Sequence, residues 1–286
     1  MKPEKVRMTE MRELLREALK DLRQFTTFFV VDGKLVGSGT FVRVNGIPGI
    51  LTARHVWDNI VELKPKKVGI QISAKRHHFS IDFDFLIPAL NLRRRSEAFG
   101  PDIEFIKLPL RDAGSIEAVK SFYNLDVDRA KRCKLSSSRL GAQLISGALA
   151  EMSRNVTKPN EARSHLVVKV GGLFLERGRM IKKGDFVYWE LAVEANANGA
   201  PTSYGGVSGG GLWKVIVGKT PHADLSSAKV TGIFLSGVAF YQSALKNERR
   251  FLRAHGADVV YKMLPKLVSN SGKENIGSGN KLDACA

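Results

Sequence analysis

Ser208 lies in Tyr204-Gly205-Gly206-Val207-Ser208-Gly209-Gly210, and His55, far upstream, lies in Ile50-Leu51-Thr52-Ala53-Arg54-His55-Val56. A serine hydroxyl is a weak nucleophile near neutral pH unless a neutral imidazole accepts its proton during attack. The imidazole in turn needs a carboxylate to fix its tautomer and stabilise the imidazolium. Glycines beside the serine let the backbone turn tightly enough for two N–H groups to converge on an oxyanion. A carboxylate should therefore stand between the two segments. Asp102 is the best placed, because Gly100-Pro101 delivers it to the start of the alternating, strand-like run Asp102-Ile103-Glu104-Phe105-Ile106-Lys107-Leu108. Asp82 and Asp84, in Ile81-Asp82-Phe83-Asp84-Phe85, stand on another alternating run and are the alternatives. Taken singly, a glycine-rich hairpin accounts for Ser208 and a satisfied core histidine for His55. Their occurrence together, in this order, points to a nucleophile and its base. His77, His78, His165, His222 and His255 have no comparable context and read as surface or structural.

The elements that must position these residues follow from periodicity. Met8, Met11, Leu14, Leu15, Ala18 and Leu22 recur at spacings of three and four, which predicts an amphipathic helix. Asp32-Gly33 and Asn45-Gly46, set between alternating runs, predict two hairpins that lead straight to His55. Strands are expected at 67–73, 79–87 and 103–108, a helix capped by Ser115 at 116–123, and further strands near 143–147, 166–170, 186–193, 211–217 and 230–240. The stretch 243–268 reads as helix with interruptions at His255-Gly256 and before Pro265, and 269–286 as a polar, disordered tail.

The order His55, Asp102, Ser208, with these local segments, resembles the trypsin/chymotrypsin-like serine peptidases. Gly37-Ser38-Gly39-Thr40-Phe41-Val42 and the His55 segment look like the family's paired strands before the histidine. Gly206-Val207-Ser208-Gly209-Gly210 looks like its nucleophile loop, and Val230-Thr231-Gly232-Ile233-Phe234 like the strand that follows. The resemblance covers roughly residues 26 to 245. It implies an all-β core, a chymotrypsin-like double β-barrel, arranged as an N-terminal helix (1–25), a first barrel (26–112), a connection (113–133), a second barrel (134–242), C-terminal helices (243–268) and a tail (269–286). By position it implies oxyanion donors at Gly206 and Ser208, a primary pocket with Thr202 at its base and Ser203 beside it, and an opposite wall at Leu235, Ser236 and Gly237. No carboxylate occupies the pocket-base positions, so neutral side chains are expected there. Where zymogen-type members carry an aspartate before the nucleophile, this chain has Val207. Leu235 replaces the serine that in many members supports the triad aspartate. No metal or organic cofactor is implied.

A chain of 286 residues with 43% hydrophobic composition can bury a substantial core in one or two domains. Its two cysteines, Cys133 and Cys285, provide no disulfide framework. Met1 to Phe25 lacks the apolar stretch of a signal peptide, and no apolar run approaches the roughly 18 residues of a membrane span. With these features the expectation is a stand-alone bacterial enzyme of the cytoplasm, without a membrane, and the resemblance further implies regulated cuts in specific proteins, with a regulatory protein as a further partner. The net charge of +17 gathers at Lys64-Pro65-Lys66-Lys67, Lys75-Arg76-His77-His78, Arg93-Arg94-Arg95, Arg129 to Lys134 and Lys182-Lys183. Such an excess attracts acidic partners or nucleic acid without sequence specificity. It equally suits solvated loops. The alternative to a peptidase is thus a catalytically silent module of the same fold that binds nucleic acid or an acidic protein through its basic face.

Overall fold

Two turns in the left-handed region, Asp32-Gly33 (φ 48° and 73°) and Asn45-Gly46 (φ 49° and 76°), fold the chain that follows the N-terminal helix into three antiparallel strands. This is the geometry that hairpins demand and that Asp, Asn and Gly tolerate. The computed structural model describes residues 3–72, 78–90, 92, 99–127, 141–157, 164–175, 178–194, 201–218, 229–247 and 249–277. Cys133, Cys285, His77, His222, Arg93-Arg94-Arg95, Arg129 to Lys134 and most of the Lys75 cluster lie outside the described residues. So does the tail beyond Gly277.

Helix α1 (Pro3–Leu22) precedes the first sheet. That sheet contains β1 (Thr26–Val31), β2 (Lys34–Val44), β3 (Ile47–Thr52), β4 (Lys67–Gln71), β5 (His78–Asp82), β6 (Ile87–Pro88) and β7 (Glu104–Lys107), in the spatial order β5-β4-β1-β2-β3-β7-β6, with β8 (Tyr123–Asn124) paired to β2. Helix α2 (Arg54–Leu63) leaves the end of β3 and buries Val56, Trp57 and Ile60. Helix α3 (Leu110–Glu117) follows β7. The second sheet holds β9 (Gly141–Thr157), β10 (Ser164–Leu175), β11 (Gly178–Lys183), β12 (Phe186–Glu194), β13 (Gly211–Gly218), β14 (Lys229–Gln242) and β15 (Arg249–His255), in the order β10-β9-β13-β14-β15-β12-β11. A π-helical turn (Val259–Met263) then runs into α4 (Leu264–Gly277). Two antiparallel sheets in tandem, with helices confined to the ends and connections, fit a double β-barrel. Among the described residues no helix is long and apolar enough to cross a membrane.

The two sheets share one core. Val42, Leu51 and Phe105 of the first pack with Leu144, Trp213, Leu235 and Val238 of the second, and α1 adds Leu15, Ala18 and Leu22 to the same cluster. Trp213 marks the seam. Its ring meets Tyr123 edge-on, with centroids 5.2 Å apart, and its Nε1–H donates to Ser146 Oγ at 2.9 Å. The same oxygen accepts the Thr26 hydroxyl at 2.9 Å, so one buried serine joins three elements.

Four expectations fail, the first being the strand expected at 79–87, which a 3₁₀ turn at Phe83–Phe85 divides into β5 and β6. The stretch 243–268, read as helix with interruptions at His255-Gly256 and before Pro265, contains strand β15, paired to both β12 and β14. Its arginines alternate too weakly with apolar residues to announce a strand, and tertiary pairing decides. Ser115 lies inside α3, where its hydroxyl bonds Arg111 O, and the helix ends before Tyr123, which is a strand residue. Finally, α4 continues through the polar residues 269–277 that read as tail.

Candidate active site

Strand β3 ends at Thr52, Ala53 is extended, and α2 begins at Arg54, so His55 sits in the first turn of a helix. That turn has unsatisfied N–H groups and a positive dipole end, a natural place for a carboxylate. Asp102 takes it. One carboxylate oxygen accepts the His55 backbone N–H at 3.0 Å and the other meets His55 Nδ1 at 2.9 Å. The Asp102 side chain is fully buried, whereas that of His55 keeps 24% of its surface. An ionised carboxylate can only accept, so the ring proton resides on Nδ1 and the Nε2 lone pair is left for another donor. Neither alternative acid has this contact: Asp82 lies 3.6 Å from Lys67 Nζ on an exposed edge, and Asp84 lines a surface groove with Phe85 and Lys107.

Glu104 lies two residues beyond Asp102 and meets the neighbour of His55. Arg54 Nη1 donates to Glu104 at 2.8 Å and to Leu90 O at 3.0 Å, while Arg54 Nε bonds Asp58 at 2.7 Å. Burial pushes the Glu104 carboxyl up to about 7, against the opposing pull of the Leu90 N–H and the Arg54 charge. This second acid–base pair braces the start of α2 from the same stretch that carries Asp102. The sequence reading passed it over, although Arg54 and Glu104 flank the chosen residues.

Ser208 is carried by a loop of backbone hydrogen bonds. Val207 N–H donates to Tyr204 O, Gly210 N–H to Val207 O and Gly209 N–H to Ala239 O. Gly206 and Gly209 take φ values of 88° and 87°, in the left-handed region. At Gly209 a Cβ would also run into the Ser38 carbonyl and the Thr52 hydroxyl. Ser38 of β2 ties this loop to the histidine strand. Its N–H donates to Ser208 O at 2.8 Å, its hydroxyl donates to Gly206 O at 2.6 Å and accepts from Ala148 N at 2.8 Å, and its carbonyl accepts the Thr52 hydroxyl at 2.7 Å. A Cβ on Gly37 would touch Val56, next to His55, and lie 3.3 Å from Ser208 O. The serine loop and the first turn of α2 are thereby brought side by side. Among the described residues no acceptor engages the Gly206 or Ser208 N–H.

The expected pocket residues separate. Thr202 and Ser203 stand on the same loop as Ser208, but a carboxylate does face them. Glu151 of β9 accepts the Thr202 hydroxyl at 2.7 Å, the Thr202 N–H at 3.2 Å and the Ser203 N–H at 2.6 Å. The Thr202 hydroxyl, followed by the two N–H groups, holds the Glu151 carboxyl below its usual range. Glu151 lies some fifty residues upstream, on a strand whose approach to the loop has no local signature. Leu235, Ser236 and Gly237 lie on β14 beside the start of β13, which follows that loop. Leu235 is buried in the seam, the Ser236 hydroxyl donates to Leu212 O, and Gly237 backs onto the His255 carbonyl. Hydrogen bonds to the loop come from Ala239 and Gln242, the latter accepting Tyr204 N–H at 2.8 Å and donating to Ser203 Oγ at 3.3 Å. Register shifts between Leu212 and Trp213, and between Ile216 and Val217, defeat residue counting along this hairpin.

No protein-family model matches the chain, and no curated protein sequence matches it. Among solved structures, the serine protease domain of the Sesbania mosaic virus polyprotein is 11% identical over 84% of this chain and 92% of that one, with a TM-score of 0.44. Mouse neuropsin, a serine protease expressed in the limbic system of the brain, is 14% identical over 86% and 95%, with a TM-score of 0.44. A structure concerned with the coupled folding and binding of the Sesbania mosaic virus VPg protein is 12% identical over 84% and 90%, with a TM-score of 0.45. Likeness of this degree carries no argument about activity, which has to be sought in the chain's own side chains.

Proposed function

We propose that the protein is a serine endopeptidase of the trypsin/chymotrypsin-like kind, with Ser208 as nucleophile, His55 as general base and Asp102 as its orienting carboxylate. The observation that carries this is the double hold of Asp102 on His55, through Nδ1 at 2.9 Å and the backbone N–H at 3.0 Å, beside a glycine-bound serine loop fastened to the same strand system. With the Nδ1 proton directed at Asp102, Nε2 takes the hydroxyl proton as Ser208 Oγ adds to the substrate carbonyl. The negative charge then falls on the carbonyl oxygen, for which the Gly206 and Ser208 N–H groups are the candidate donors. His55 passes its proton to the departing amine, leaving an acyl ester on Ser208. A water deprotonated by His55 releases the acid and restores the hydroxyl. No step calls for a metal or an organic cofactor.

The exposed Lys64, Lys66, Lys67, Lys182 and Lys183 favour acidic protein or peptide segments as they approach, an attraction that added salt would screen. The same charge sustains the reading of a silent binding module for nucleic acid or an acidic protein. Turnover separates the two. Asp102→Asn should leave the fold intact and lower kcat on a peptide substrate roughly 10⁴-fold, because an amide facing Nδ1 favours the wrong tautomer. Equal kcat in variant and wild type would remove Asp102 from the mechanism.

A further inference from the structure

A buried imidazole that the proposed chemistry does not use stands directly behind the orienting carboxylate. His255 ends β15, opposite Tyr188 of β12 and Val238 of β14. Its side chain is fully buried, stacked on Phe240 with centroids 4.5 Å apart and rings 26° from parallel, with the Tyr188 ring centred 5.4 Å away. Its Nε2 accepts the Asp102 backbone N–H at 3.0 Å. Its Nδ1 is buried and has no hydrogen-bond partner among the described residues.

These contacts restrict what the residue is for. Packing alone, among Phe186, Tyr188 and Phe240, would be served by another phenyl ring, without the cost of a buried polar nitrogen left unpaired. What the imidazole adds is one acceptor, aimed at the main chain of Asp102. To accept there, Nε2 must keep its lone pair, so the ring is neutral with its proton on Nδ1. Burial favours that state, pushing the imidazole down to about 4. One edge of the ring lies near the Gly100 backbone, where an added Cβ would come within 3.3 Å of His255 Cε1. Asp102 is thus gripped at both ends, its carboxylate on His55 and its N–H on His255.

We propose that His255 is a positioning residue: a neutral, buried acceptor that fixes the Asp102 backbone and so aims both carboxylate oxygens at His55. The proposal rests on the reading of His55, Asp102 and Ser208 as a triad.

The test compares His255→Gln, His255→Asn and His255→Leu in the full chain, by kcat and KM on a peptide substrate and by the rate of labelling with a fluorophosphonate, with Ser208→Ala as the zero. A glutamine amide reaches about as far as Nε2, whereas asparagine is polar but too short and leucine offers no acceptor. Misplacing the carboxylate should lower kcat and the labelling rate roughly 10²-fold in His255→Leu and His255→Asn with KM within about threefold, while His255→Gln stays within about tenfold of wild type. If His255→Leu does not fold, the Gln and Asn pair carries the comparison. Equal impairment of Gln and Asn, or a folded Leu variant labelled at the wild-type rate, would overturn the role of His255 and leave the triad standing. Labelling that persists in Ser208→Ala would overturn the triad reading, and this proposal with it.

Discussion

Asp102 takes two hydrogen bonds from one residue, His55, and gives one to another, His255. The first pair was legible in the sequence, because a histidine after a hairpin and an aspartate at the head of an alternating run each have a local signature. The His255 contact had none. It joins residues 153 apart through strands whose pairing no short segment reveals. The same residue makes stability depend on pH. In the unfolded chain its imidazole gains a proton near 6.5, but in the fold burial delays this to about 4. Between those values the unfolded chain binds more protons than the folded one. The contribution is therefore complete above pH 6.5 and is lost as the pH falls towards 4, by roughly 3 kcal/mol. Glu104, whose carboxyl is pushed up to about 7, adds a slope of opposite sign in both proteins, so urea unfolding between pH 4 and 7 should show the His255 contribution as the difference between the wild-type and His255→Gln slopes. An unchanged slope in the variant would assign the effect to other groups.

The loop from Thr202 to Gly210 shows what local signatures can and cannot say about an element. Its glycines announce a tight turn, and Gly209 needs to be glycine twice over, for its φ of 87° and for its closeness to the Ser38 carbonyl and the Thr52 hydroxyl. Gly209→Ala should cost about 1–3 kcal/mol from backbone strain alone, before those collisions are counted, and should show as a lower midpoint in thermal unfolding. What holds the other end of the loop was not legible, since Glu151 and Gln242 come from strands distant in sequence. Glu151→Gln should weaken the hold on the Thr202 and Ser203 N–H groups and speed their amide hydrogen exchange. In wild type, whose Glu151 carboxyl is held below the usual range, that hold is present above about pH 4.5 and fades as the pH falls through the lowered value. Unaltered exchange at Ser203 would show that the loop stands without Glu151. Strand β15 is the reverse lesson. A run of arginines mixed with apolar residues read as helix, and only pairing with β12 and β14 makes it a strand that can deliver His255.

At the scale of the molecule, the resemblance carried by the His55, Asp102 and Ser208 segments implied two β-barrels, and the two tandem antiparallel sheets fit that expectation. The sequence could not say that the sheets share a core through Trp213, or that Ser38 fastens the serine loop to the histidine half. That fastening is the architectural reason for the proposed activity, because nucleophile and base come from different sheets and have to be held in register. A fluorophosphonate, which reacts only with an activated serine, therefore tests the central claim most directly. Wild type should be labelled stoichiometrically on the peptide carrying Ser208, as read by mass spectrometry, and labelling should vanish in both Ser208→Ala and His55→Ala. Labelling that survives either substitution in a folded protein, or a wild type that is never labelled, would contradict the account.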